Sequence, residues 1–172
     1  MNGTRRRQEK KKMKILAENK KALFDYQLLQ TYEAGISLFG FEVKAIKTGH
    51  VSLKGSYVVV KNNEVFLLNA LIPPYQQANT PQKYDPQRSR KLLLKKSEIR
   101  ALIGKSHVKG LTLIPIKLYT KGYKSSQAQG NVPQGRGKIK LEFAIAKGKH
   151  QIDKRETIKK RDLEREMGRR LK

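Results

Sequence analysis

Any acid, base or nucleophilic chemistry in this chain would have to start from His50, His107 and His150, each set in a Gly/Lys-rich stretch. No two of them sit four residues apart, where one helical face could offer both to a metal or to a reacting proton. They read as exposed, non-catalytic side chains. Glu33, Glu42, Glu64, Glu98 and Glu142 are scattered, without the clustering that a magnesium-dependent nuclease needs. There is no cysteine, so disulfides, thiolate zinc sites and thiol catalysis are excluded. Residues 130–138 (GNVPQGRGK) resemble a phosphate-cradling loop, but Arg136 follows Gly135 where a P-loop has lysine. That segment reads as a hairpin tip. No enzymatic activity, metal or cofactor is expected.

The residue types do support the binding of phosphate. Arg88, Arg90, Lys91, Lys95 and Lys96 gather at one junction, where side chains and backbone N–H groups can both meet an RNA backbone. Tyr26, Tyr57, Tyr75, Tyr84 and Tyr123 are candidates to stack on unpaired bases, although strand tyrosines more often serve the core. The wider composition agrees. Lys and Arg number 39 against 14 Asp and Glu, for a formal charge of +25. A surface so charged attracts a polyanion that can release condensed counterions on contact. No window approaches the roughly 18 to 20 apolar residues of a spanning helix, and residues 1–14 are too basic for a secretory signal. The expected setting is the cytoplasm, without a membrane partner.

The elements that must position these residues follow from periodicity. Residues 1–17 are basic, with too little apolar surface to offset the entropy of folding, and read as a disordered arm. Residues 23–38 alternate through Phe24, Tyr26, Leu28, Tyr32 and Ile36, which predicts a long strand with a break at Ala34-Gly35. Residues 41–47 predict a short helix closed by Gly49. Residues 57–61 and 64–68 are β-branched and aliphatic runs around Asn62-Asn63, a pair that tolerates the positive φ of a tight hairpin. A proline-punctuated loop reaches Arg88. From Ser89, as N-cap, a helix is predicted that places Leu92, Leu93, Ile99, Leu102 and Ile103 on one face and stops at Gly104. Residues 111–118 and 139–146 read as strands joined by a mobile polar loop over 119–138. The last residues, 147–172, are densely charged, with only Leu163, Met167 and Leu171 as a narrow stripe, and are expected to order on binding.

These elements predict a mainly β fold, an OB-fold-like barrel with short added helices. It spans residues 19–150, between a basic arm at 1–18 and a basic tail at 151–172 that is disordered in the free state. Such barrels commonly bind nucleic acid. Composition alone leaves several RNA-binding readings open, among them a ribosomal protein and a non-specific single-strand binder.

A series of motifs narrows the choice. Asn19-Lys-Lys-Ala22, Asp25-Tyr26, Tyr32-Glu-Ala-Gly-Ile36, Gly40-Phe-Glu-Val-Lys44, Ser56-Tyr-Val58, Arg90-Lys-Leu-Leu-Leu94, Lys147-Gly-Lys149 and Asp153-Lys-Arg155 occur in one order. Together they resemble the successive motifs of the SsrA-binding protein family, also called small protein B, over nearly the whole chain. The resemblance implies a barrel that grips the tRNA-like domain of transfer-messenger RNA through Asn19, Lys20 and Lys21, through Glu33 and Leu93, and through Lys44, Arg90 and Lys91. Arg88, Lys138, Lys147 and Lys149 are expected to add phosphate contacts. It also implies a tail that enters the decoding centre and the empty messenger channel of the ribosome as a helix, carrying Asp153, Lys154, Arg155, Lys159, Lys160 and Arg161. The RNA would arrive as its alanyl form with elongation factor Tu, and the protein would act as a monomer. Glu33 in so basic a protein is then expected to give specificity, by accepting hydrogen bonds or orienting a lysine.

The chain departs from the family pattern in three places. Phe24 stands where the family has histidine, so any imidazole hydrogen bond there is lost. His150 replaces a further lysine, and residues 124–136 resemble an insertion into a loop that the family keeps short.

Overall fold

The basic arm expected over residues 1–18 ends as a strand. The computed structural model describes residues 13–76, 80–106, 108–121 and 137–149, together with Ile158, Asp162 and Met167. Within them, Lys14–Glu18 forms β1 and pairs antiparallel with residues 117–120. Leu16 and Ala17 turn onto the hydrophobic core, and their burial offsets an ordering cost that the surrounding lysines made to look prohibitive.

Asn19 ends β1 and opens α1, Lys20–Asp25. Its Oδ1 accepts the Ala22 N–H at 3.1 Å, the usual service of an N-cap asparagine. The strand expected from residue 23 therefore begins later, as β2, Tyr26–Ile36. The predicted break at Ala34-Gly35 is absent, since Gly35 pairs with both Leu93 and Lys140. The irregularity falls instead between Leu28 and Gln30. The helix predicted at 41–47 is α2, Gly40–Lys47, and Gly49 follows with φ of 89° as the sequence implied.

The hairpin is as predicted. Tyr57–Lys61 (β3) and Glu64–Leu68 (β4) join through Asn62 and Asn63 at φ of 51° and 59°, the left-handed pair that matches strand twist. Residues 89–95 differ from expectation. Arg90–Leu93 is a strand, β5, and the helix α3 starts only at Lys96 and runs through Gly104 to Ser106. Arg90 and Leu92 alternate inward with Lys91 and Leu93 outward, and pairing of Val65 with Leu92 overrides the helical spacing. The two predicted C-terminal strands are longer than expected, β6 at Leu111–Lys121 and β7 at Lys138–Gly148.

Going round the sheet, β6, β3, β4, β5, β2 and β7 are antiparallel neighbours, and β7 returns to β6, closing the barrel. β1 shares β6 with β3, pairing farther along the strand. Pro115 lacks an N–H for the ladder, and the β6–β7 register shifts just beyond it. Val58, Val65, Leu67, Leu92, Leu113, Leu141, Phe143 and Ile145 fill the interior, with Leu102 of α3 among them. Ala22 of α1 packs outside on Ile114 and Ala146. Ala45 and Ile46 of α2 make a third cluster with Ile72. The expectations for residues 1–12, for the 122–136 loop and for the tail residues Asp153, Lys154, Arg155, Lys159, Lys160 and Arg161 lie outside the described residues. Ile158, Asp162 and Met167 are helical and exposed.

Candidate nucleic-acid interface

The long strand β2 carries the candidate site along its length. At its start, Gln27 pairs with Lys147, and the Lys149 N–H donates to Asp25 O at 2.9 Å. The exposed Lys20 and Lys21 of α1 and Lys147 of β7 therefore belong to elements that meet here, with Lys149 half-buried beside them. At the other end, Gly35 lies between Lys140 and Leu93. Gly35 is eight steps along β2 from Gln27, about 26 Å at 3.3 Å per residue.

Glu33 organises the second end. Both its oxygens accept from Lys121 Nζ at 2.9 Å, the Tyr119 hydroxyl donates to it, and Lys140 Nζ stands 3.8 Å away. The Tyr119 hydrogen bond, then that of Lys121, holds the Glu33 carboxyl below its ordinary range despite some desolvation. Burial, then Glu33, pushes the Tyr119 phenol well above 10. Next along the sheet Lys117 pairs with Glu142 at 3.1 Å. A partly exposed acid thus fixes two lysines and a tyrosine on the outer face of three neighbouring strands. Of the two roles expected for Glu33, the orienting of lysine is the one visible here. Beside it, Leu93 is 55% exposed and borders a groove of about 450 Å³ with Ile36, Leu38, Val43, Lys138 and Ile139. An apolar side chain left in water between lysines suits contact with a base or ribose edge.

Two of the residues expected to contact RNA are buried. Arg90 is fully buried, its guanidinium bonded to Glu42, Ala70 O, Arg88 O, Tyr84 and Pro86 O. Asn19 is 6% exposed, and its Nδ2 donates to Leu53 O and Pro115 O. Their polar groups are committed to hydrogen bonds inside the protein. Arg88 remains one-quarter exposed although paired to Glu42, and Lys44 is exposed on α2. Lys91 is exposed and paired with Glu64. Tyr84 supports Glu42, whereas Tyr57 and Tyr75 are about 40% exposed. His50 is exposed, with its Nδ1 2.9 Å from Thr48 Oγ1, and His107 and His150 lie outside the described residues.

Sequence reasoning missed Tyr119, Lys121 and Lys140 as partners of Glu33. Their spacing along β6 and β7 offered alternation, but only the register brings them beside an acid on β2. Glu42 was also missed, although it lies in the quoted Gly40–Lys44 motif.

A family model described as SmpB protein matches residues 16–172. The chain belongs to the SmpB family. Family relatives named SsrA-binding protein include one from Trichodesmium erythraeum, 46% identical over 92% of this chain and 93% of its own. Another, from Cupriavidus taiwanensis, is 50% identical over 91% of this chain and 96% of its own. A solved SmpB-family structure, described as "tmRNA-SmpB: a journey to the center of the bacterial ribosome", is 39% identical over 83% of this chain and 93% of that one, with a TM-score of 0.59. The family assignment covers both ends of β2 and extends through the basic C-terminal segment.

Proposed function

We propose that this protein binds the tRNA-like domain of transfer-messenger RNA and carries that RNA to stalled ribosomes in trans-translation. The observation that carries the reading is the Glu33–Tyr119–Lys121–Lys140 cluster beside exposed Leu93, in a chain whose relatives are named for binding SsrA RNA. Free lysines attract any phosphate. Lysines held by an acid at fixed separation favour one backbone path, which is what recognition of a folded RNA requires.

Phosphates of the tRNA-like domain lie along β2, on Lys20, Lys21, Lys147 and Lys149 at one end and on Lys121, Lys138 and Lys140 at the other. Lys44, Arg88 and Lys91 extend the positive surface, and Leu93 meets a base or ribose. Asn19 and Arg90 act from inside, by holding the start of α1 and the loop before β5. The basic tail from Asp153 occupies the decoding centre and messenger channel, Lys154, Arg155, Lys159, Lys160 and Arg161 facing ribosomal RNA as it orders into a helix. The protein is a binding partner rather than an enzyme and works in the cytoplasm. Alanyl transfer-messenger RNA with elongation factor Tu completes the delivered complex. Family membership supports the binding of transfer-messenger RNA and of the ribosome.

The test compares binding to the tRNA-like domain with binding to an unrelated RNA of equal length at near-physiological salt, where simple charge attraction is weakened. Strong preference for the tRNA-like domain is expected. Equal binding would return the protein to the class of non-specific or ribosomal RNA binders.

A further inference from the structure

Phe39 occupies the N-cap of α2, a position where a small polar side chain normally accepts a free N–H and where phenylalanine can do no such thing. Its ring is 50% exposed, so it gains little from burial either. What the ring does have is a partner. The Arg88 guanidinium lies over it with Cζ 4.2 Å from the ring centroid. Phe41 stacks on Phe39 at 5.4 Å and is itself held edge-on by Tyr84 at 4.8 Å.

Glu42 fixes this arrangement from below. Fully buried, it accepts from Arg88 through both Nε and Nη2, from Arg90 Nε at 2.9 Å, from Tyr84 at 3.0 Å and from the Phe39 N–H at 2.7 Å. Arg88 is thereby oriented bidentately, and Nη1 donates to Ser89 O. Arg88 shares that one carboxylate with Arg90, and its Nε and Nη2 donors are taken up there, leaving it fewer donors to offer a phosphate. Its plane is fixed in advance, which makes it a better surface for a flat, polarisable group.

We propose that Phe39 and Arg88 form a stacking site for one unpaired nucleobase of the bound RNA, with Glu42 as the positioning residue beneath it. The proposal rests on the RNA-binding reading above and adds a base contact to a surface so far described by its lysines. Leu38 connects the two, since it lines the groove of Leu93 and Lys138 and precedes Phe39 in the chain. The charge of +25 and the exposed Lys44 and Lys47 on the same helix favour a nucleic acid over a protein as occupant. Aromatic rings and guanidinium planes are the surfaces on which unpaired RNA bases stack.

The chain has no tryptophan, so Phe39→Trp introduces a single indole whose emission reports stacking directly. Quenching is expected on addition of the tRNA-like domain, and none on addition of a fully paired RNA duplex of equal length. Phe39→Ala should weaken binding to the tRNA-like domain roughly tenfold, in line with alanine substitutions at stacked bases, and Phe39→Tyr should restore it. The salt dependence should stay the same, because no phosphate contact is removed. An unquenched indole, equal quenching by duplex, or full affinity in Phe39→Ala would each overturn the stacking site. If the unmodified protein itself shows no preference for the tRNA-like domain, the functional reading fails; preference with a silent indole defeats the stacking proposal alone.

Discussion

Arg90 donates through Nε to Glu42 at 2.9 Å, and neither side chain reaches solvent. Removing water from two charges is costly, and their attraction offsets that cost only when the remaining donors and acceptors are also satisfied. Here they are, by Arg88, Tyr84, the Phe39 N–H and the carbonyls of Ala70 and Pro86. The network ties α2, β5 and the loop between β4 and β5 into one body, and it is why an arginine that looks like an RNA ligand in the sequence is a core residue.

Glu42→Ala should therefore lower the free energy of unfolding by about 3 to 5 kcal/mol, because it leaves Arg90 buried without its counter-charge. Urea denaturation measures this. Arg90→Met should destabilise as well, yet leave the salt dependence of RNA binding unaltered in the folded fraction. Lys138→Ala, at an exposed position, should instead reduce the logarithmic salt slope by about 0.9, the loss of one phosphate contact. A reduced slope for Arg90→Met would return that residue to the interface.

The same carboxylate predicts an acid response. Burial alone would raise the Glu42 pKa, but hydrogen bonds from Arg88 and the Phe39 N–H and the charges of Arg90 and Arg88 outweigh it, leaving the carboxyl below its ordinary value. A depressed folded pKa contributes stability above the unfolded value of about 4.3 and loses it as pH falls through the folded value. Stability measured from neutral pH into that acid window should fall less steeply for Glu42→Gln than for the unmodified protein. Identical slopes would show that Glu42 does not drive the acid transition.

Much of this fold was legible because its local signals agreed with its tertiary ones. Asn62-Asn63 between two β-branched runs has one economical conformation, and α2 with Gly49 and the strands β6 and β7 follow their patterns. The failures share a cause. β1 follows a run of lysines and arginines and β5 is short and basic, and each becomes a strand only because a longer strand offers it an edge: β6 to residues 14–18, β4 to residues 90–92. Leu93 illustrates the same limit at the site, since its helical spacing with Ile99 and Leu102 suggested burial while the pleat of β5 turns it outward. The motif series pointed to the region of the candidate site, but distinguishing buried Arg90 from exposed Lys91 required knowing which way each faces.

Glu33→Ala should weaken discrimination for the tRNA-like domain by roughly tenfold, the scale of one charged hydrogen-bond set, while affinity for unrelated RNA holds or rises as Lys121 and Lys140 are released. Competition binding with both RNAs reads the two effects separately. Equal loss on both would refute the specificity role. Tyr119→Phe should produce a smaller change in the same direction, because it removes one donor to Glu33 and leaves the lysines in place.

Gly35 couples the barrel seam to Leu93. A Cβ added at Gly35 would stand 3.2 Å from Leu93 Cβ, so a side chain there must push Leu93 or the β5 backbone aside. Gly35→Val should cost about 1 to 3 kcal/mol, as overpacking does, and should also weaken binding to the tRNA-like domain. A thermal melt and a binding isotherm on the same sample test both, and loss of stability with full RNA affinity would argue that the position of Leu93 is unimportant to recognition.

Cutting the chain after Lys149 separates the two proposed activities. β7 ends at Gly148, and the Lys149 N–H bond to Asp25 O closes the last described contact between that strand and α1. Every strand and helix of the barrel therefore survives the cut, as do Lys20, Lys21, Glu33, Leu93 and Lys147. The truncated protein should keep its preference for the tRNA-like domain and its melting behaviour, with a lower affinity for unrelated RNA because the basic tail no longer contributes to the salt-dependent term. Ribosome rescue, followed as tagging of a stalled product in a reconstituted translation system, should be abolished. Persistent tagging would mean that the tail does not act in the decoding centre, whereas loss of the RNA preference itself would place part of the recognition surface beyond Lys149.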